Sequence, residues 1–318
     1  ISECLVGSEM CIRDSLFSGQ GVQYAGMGKN LYEHYTESKE AFDCASDILD
    51  WDIKEVCFED KNALINQTRY TQAALFTTSI AAFNAAKAQG IMPSAVLGFS
   101  LGEYSALVAS GALNFEQALK LVDKRAFYMD ECAKERDGGM AAVIGLQKEM
   151  IDEVCQCIQN EGLELVVAND NCPGQVVISG EKTAIEKATP LLKEKGARRI
   201  MPLNVSGAFH SPLMEEAAKN LKEELIHFNF NEVTTPIISN VTASYMNKDE
   251  VIENIPLQIV KGVRFRESIE KLIEEGFDTF IEIGVKKTLC NFVSKISSDV
   301  KVLNIEDEAS LQNVLEFL

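Results

Sequence analysis

The chain is predicted to be an α/β protein, with a large domain around a parallel sheet and a small βαββαβ domain inserted in it. Three observations predict this. A short apolar run, Ala95 to Phe99, leads through a glycine-flanked serine directly into a helical pattern. The stretch from Met140 to Leu203 then reads strand, helix, strand, strand, helix, strand. Beyond it, short apolar strands again alternate with helices, so the middle unit interrupts a larger one. The expected boundaries are 16–137 and 205–318 for the large domain and 138–204 for the small one.

The elements follow in order. Residues 1–15 show neither an amphipathic period nor a buried-strand pattern, and are set apart as a non-native or disordered leader. Leu16-Phe17 is the stump of a strand that ends in Ser18-Gly19-Gln20-Gly21. Helices are expected over Met27–Tyr35 and Glu37–Leu49, and a strongly apolar one follows Thr71-Gln72 and stops at Gly90. The Ala95–Phe99 run suits a parallel strand covered on both faces, and Leu101–Ala109 is the helix behind it. Phe115–Lys134 is amphipathic, with Leu119, Val122, Ala126 and Met129 at helical spacing. In the small unit, Met140–Leu146, Leu163–Ala168, Gln175–Ser179 and Ala197–Leu203 are strand-like, with a turn at Asn171-Cys172-Pro173-Gly174. Helices Lys148–Asn160 and Lys182–Lys195 complete a ferredoxin-like order. Ile237–Asn240, Phe280–Ile283 and Val300–Leu303 are the later strands.

Composition narrows the class. The 318 residues are 46% hydrophobic and 25% charged, which is ordinary for a globular protein. Lys plus Arg number 30 against 48 Asp plus Glu, a net charge of −18, which argues against a non-specific binder of nucleic acid or anionic membrane. No apolar run approaches the length of a membrane span. Nine cysteines with no CxxC pair read as reduced thiols in a cytoplasmic protein, and three histidines leave little for a metal site.

The strongest local feature is Gly98-Phe99-Ser100-Leu101-Gly102. A serine on a tight strand-to-helix turn, as in α/β-hydrolase-like folds, needs small neighbours and projects its hydroxyl out of the fold. The Leu101 amide, at the helix start, would face an oxyanion formed at that hydroxyl. Such a nucleophile needs a base. His34 lies in a helix ahead of the serine and His227 near a helix end, while His210 stands in a loop before Ser211-Pro212, a helix-entrance pair. Elimination favours His210. No Asp stands out to orient it, so a backbone carbonyl is the expected substitute. Read alone, Arg125 is a surface arginine and Phe209 is open to an ordinary packing role.

With Gln20, Ser100 and His210 identified, the sequence resembles the malonyl-CoA:acyl-carrier-protein transacylases of bacterial fatty-acid synthesis. The resemblance runs from about Leu16 to the C-terminus through LFSGQGVQYAGMG, TQAAL, GFSLGEYSALVASGAL, LVDKRAFYM, GGMAAVIGL, NCPGQVVISG, VSGAFHSPLM and FIEIG. It implies that Ser100 carries the malonyl ester and His210 handles the proton. It also implies that the amides of Gln20 and Leu101 form an oxyanion hole and that the carbonyl of Gln258 orients His210. Arg125 would grip the malonyl carboxylate, and Phe209 would disfavour an α-methyl branch. The substrates implied are malonyl-CoA and acyl-carrier protein, with no cofactor, metal, nucleic acid or membrane, in a cytoplasmic monomer. Two departures stand out: Phe99 occupies a position that is usually histidine, and the leader replaces most of the first strand. A discrete acyltransferase of a polyketide synthase and a serine acyl hydrolase are the alternative readings.

Overall fold

The computed structural model describes residues 13–318. Among them the strands, in chain order, are β1 (Arg13–Phe17), β2 (Ala95–Gly98), β3 (Gly138–Ile144), β4 (Leu165–Cys172), β5 (Gln175–Glu181), β6 (Arg199–Pro202), β7 (Ile237–Ile238), β8 (Thr279–Ile283) and β9 (Lys301–Ile305). They form two sheets. One has the order β7-β2-β1-β8-β9, and every neighbouring pair in it is parallel. The other has the order β4-β5-β3-β6 and is antiparallel throughout.

The parallel strands are short and, apart from the edge strand β9, buried on both faces, so each face must be covered by helices. Helix Thr68–Ala88 is buried nearly all round, as a helix without a polar face must be. It packs between the sheet side and helices Thr36–Ile48 and Phe115–Glu135. The helix Ile53–Phe58 has no counterpart in the sequence pattern. It is a short segment started by Asp52, whose side chain accepts from the Glu55 amide.

The first strand differs from expectation. It begins at Arg13, three residues inside the segment set apart as a leader, while residues 1–12 of that segment lie outside the described residues. Asp14 to Phe17 pair with both β2 and β8, so β1 is the middle strand of its sheet. Ladder hydrogen bonds come from the backbone and accept polar side chains, which is why hydropathy did not mark these residues. The cost lies in the side chains. Asp14 is fully buried and its carboxylate oxygens meet no hydrogen-bond partner among the described residues.

In the antiparallel sheet, the expected four-residue turn after residue 170 is shorter. Strand β4 runs on to Cys172 and β5 starts at Gln175, leaving Pro173-Gly174 as the turn. Register shifts at Val167/Asn169 and Asp170/Cys172 let the strand continue while it bends. The antiparallel sheet is tied to the segment between helices Lys248–Val260 and Phe265–Glu274, where the Asp170 amide donates to the Val263 carbonyl at 3.0 Å and the Val263 amide to the Ala168 carbonyl at 2.8 Å.

Candidate active site

Strand β2 ends at Gly98, and the helix Gly102–Ala109 starts four residues later. The turn between them is possible only with glycine at both ends. A Cβ on Gly98 would stand 2.0 Å from the Gly102 carbonyl carbon, and one on Gly102 would stand 1.9 Å from the Phe17 carbonyl oxygen. Ser100, at the apex, has φ 52°, the left-handed region that side-chain-bearing residues rarely occupy. His210 shares this property with φ 59°. Strain of this kind persists where the surroundings over-determine it, and it clusters at functional sites.

The structure brings Ser100 and His210 together, 2.8 Å from Oγ to Nε2. The other ring nitrogen, Nδ1, lies 2.8 Å from the Gln258 carbonyl and 3.1 Å from the Lys261 carbonyl. Carbonyls only accept, so Nδ1 carries the hydrogen and Nε2 presents its lone pair to the serine. These carbonyls are free because helix Lys248–Val260 ends there. The same terminus receives the His210 backbone amide at the Ile259 carbonyl, 3.0 Å away. Burial, then the positive charge of Arg125, push the His210 pKa down to about 4, while the two carbonyls work in the opposite direction. His34 and His227 are exposed and take no part.

Arg125 is a correction. It is 1% exposed, not a surface side chain. It lies on the buried stripe of helix Phe115–Glu135, between Val122 and Met129. Its Nη1 donates to Gln72 Oε1 at 2.6 Å, and its Nη2 to Gln258 Oε1 at 3.0 Å and Ser100 Oγ at 3.2 Å. The guanidinium also lies 5.3 Å from the centre of the Tyr104 ring. All three hydrogen bonds go to amide or hydroxyl oxygens and none to a carboxylate; the buried Glu103 carboxylate is joined to the guanidinium only through Gln258.

Around this centre is a cavity of about 240 Å³ lined by the loops that follow β1 and β2 and by strands β3, β4 and β5. Gln20, Leu101, Arg125, Phe209 and His210 all face it. The Gln20 side chain donates to Thr68 Oγ1 at 3.2 Å, and that hydroxyl lies 3.0 Å from Ser206 Oγ, which fixes the loop after β1. Ser211 does not cap the following helical turn. Its hydroxyl instead donates to the Ala208 carbonyl at 2.6 Å and braces the loop that bears His210. Phe99 packs edge-on against Phe265, ring centres 5.6 Å apart, and lies 6.3 Å from Phe292. It makes that wall of the cavity apolar. Among the described residues no group of three or more His, Cys, Asp or Glu side chains could hold a metal ion. No helix among them is long and apolar enough to cross a membrane.

Residues 16–311 match the acyl transferase domain family. The chain belongs to that family. This acyltransferase is 43% identical over 304 residues to the malonyl CoA-acyl carrier protein transacylase of Bacillus subtilis (strain 168), spanning 95% of this chain and 96% of that one. It is 40% identical over 292 residues to the enzyme of the same name from Staphylococcus aureus (strain MRSA252), with coverage of 92% and 94%. The crystal structure of the malonyl CoA-acyl carrier protein transacylase from Clostridium perfringens superposes with a TM-score of 0.93 at 43% identity, covering 96% of both chains. A malonyl-transacylase in complex with its type II PKS acyl-carrier protein superposes equally well, with a TM-score of 0.93 at 34% identity over 96% of this chain and all of that one (100%).

Sequence reasoning missed three side chains of the acyltransferase site. Gln72 lies in the TQAAL segment and Glu103 in GFSLGE, yet each reads as an ordinary helical polar residue. Asn240 follows β7 with no local signal. Its Oδ1 accepts from the Ser100 amide at 2.7 Å, and its Nδ2 donates to the Gly98 carbonyl at 2.6 Å.

Proposed function

We propose that this acyltransferase moves a malonyl group from malonyl-CoA to the phosphopantetheine thiol of acyl-carrier protein, through a malonyl ester on Ser100. The observation that carries this reading is the buried Arg125, 3.2 Å from Ser100 Oγ and held only by neutral acceptors. A planar guanidinium in a desolvated site favours a bidentate carboxylate, which an acyl chain of the malonyl type supplies. Relatives of this chain bear malonyl CoA-acyl carrier protein transacylase as their name.

The chemistry runs in two halves through one site. Ser100 Oγ attacks the thioester carbonyl while Nε2 of His210 takes the hydroxyl proton. The Gln258 and Lys261 carbonyls stabilise the imidazolium that forms. The oxyanion of the tetrahedral intermediate is received by the amides of Gln20 and Leu101. The carbon–sulfur bond then breaks, the thiolate of coenzyme A takes the proton from His210, and malonyl-Ser100 remains. In the second half the carrier thiol gives its proton to His210, attacks the ester and releases Ser100 by the reverse steps. Phe209, packed beside the cavity, limits bulk at the α-carbon. Neither half requires a cofactor, and every group named belongs to one chain, which suits a monomer acting in the cytoplasm on soluble substrates.

We read the large unit, residues up to 137 and from 205 on, as α/β-hydrolase-like. The order βαββαβ with neighbours β4-β5-β3-β6 supports a ferredoxin-like insertion over 138–204. Fatty-acid synthesis is the preferred setting. A polyketide carrier is the second reading, favoured by the likeness to the transacylase bound to a type II PKS carrier.

Arg125→Ala tests the clamp. It is expected to lower kcat/KM for malonyl-CoA by about 10²-fold, the value of one or two hydrogen bonds to a charged group, while acetyl-CoA is spared or improved. Equal losses for both acyl groups would remove Arg125 from malonyl recognition.

A further inference from the structure

One buried carboxylate, that of Glu103, has no role in the steps above. Glu103, Asn240 and Gln258 are each at most 5% exposed. Glu103 accepts at Oε1 from the Asn240 backbone amide, 3.2 Å away, and at Oε2 from the Gln258 side-chain amide. Both neighbours then reach the nucleophile. The Asn240 side chain clasps the turn from the Ser100 amide to the Gly98 carbonyl. Gln258 Nε2 donates to the Ser100 carbonyl at 2.8 Å, its Oε1 receives Arg125, and its backbone carbonyl receives His210. The peptide groups on both sides of Ser100 are thus held by the side chains of two residues that both donate to one carboxylate, Asn240 through its backbone amide and Gln258 through its side chain.

We propose that Glu103 is a positioning residue for acyl transfer, whose carboxylate locks Asn240 and Gln258 so that the strained Ser100 turn and the Arg125 guanidinium share one fixed geometry. The inference rests on the acyl-transfer reading given above. Its chemical basis is that both of Glu103's partners donate, so two acceptor oxygens are needed and an amide cannot replace the acid. Burial pushes the Glu103 pKa up to about 7, and the Gln258 and Asn240 bonds and the Arg125 charge pull it back toward the ionised form. A residue at φ 52° has no intrinsic preference for its conformation and depends on such bonds to keep it.

The test is the single-turnover rate of Ser100 acylation by malonyl-CoA, followed by intact mass, in the wild type, Glu103→Gln and Glu103→Asp. Glu103→Gln keeps the size, removes a buried charge and turns one acceptor into a donor facing a donor. It is expected to melt no lower than the wild type yet acylate about 10²-fold more slowly, the scale of loss that small misplacement of reacting groups produces. Glu103→Asp, with both acceptors on a shorter stem, is expected to recover part of the rate. Wild-type acylation by Glu103→Gln, whatever its melting temperature, would overturn the proposal and leave a purely structural residue. Should Glu103→Gln not fold, Asn240→Asp carries the same test, since it sets an acceptor against the Gly98 carbonyl; a wild-type rate there would again overturn it. Absence of any adduct on the wild type would instead refute the acyl-transfer reading.

Discussion

Burial and the Arg125 charge both oppose a proton on His210, whose pKa falls from 6.5 to about 4. The unfolded chain takes up this proton near 6.5, so acidification from there toward about 4 favours unfolding, and above that window the group has no effect on stability. The imidazole is therefore expected to be neutral at pH 6, with hydrogen on Nδ1 and a bare Nε2, as read by nitrogen chemical shifts of the labelled ring. A protonated ring at pH 6 would contradict the account of the base. The residues of this site differ in how legible they were. Ser100 shows in the sequence because sterics demand glycine on both sides of it. His210 emerged by elimination among three histidines. Arg125 was hidden as charge, although it stands three residues after Val122 and four before Met129, on the same stripe as the core. A charged residue inside an apolar stripe was the signal available. Asn240 had none, because its partners lie 140 and 142 positions away.

At the level of elements, β1 is the weak member of the parallel sheet. Its neighbours β2 and β8 have buried side chains throughout, and it places Asp14 between Ala95 and Phe280. Burial alone raises the Asp14 pKa well above its usual value. The folded protein thus binds this proton more tightly than the unfolded chain, and stability falls as pH rises from the unfolded value of about 3.9 through the folded one. Asp14→Val is expected to raise the unfolding free energy by about 2 kcal/mol, within the range for relieving a buried unpaired polar group. The gain should be larger at pH 8 than at pH 5, measured as the difference in melting temperature from the wild type. An equal or smaller gain at pH 8 would show that the carboxyl has found a partner. Strand periodicity located the later strands and those of the antiparallel sheet well. It missed Arg13–Ser15, where strand formation follows from pairing on both sides rather than from hydropathy.

On the scale of the whole molecule, the site exists because two sheets close on one cleft. The parallel sheet supplies the loop after β1 and the serine turn after β2, the helices around it bear Arg125 and Gln258, and the loop before Pro212 bears His210. The antiparallel sheet supplies Met140, Ala142, Asn169, Asn171, Gln175 and Val177 as the facing wall. The alternation of elements made most strands of the two sheets legible in the sequence. Their closure was not, since the bridge of Val263 to Ala168 and Asp170 joins segments some ninety residues apart without any local pattern. The central claim is that this assembled cleft turns Ser100 into an acyl carrier between two thiols. The most direct measurement is intact mass after brief exposure to malonyl-CoA, wild type beside Ser100→Ala. One added malonyl group on the wild type and none on Ser100→Ala is the predicted result; a folded wild type that gains no mass while free malonate accumulates would contradict it in favour of hydrolysis.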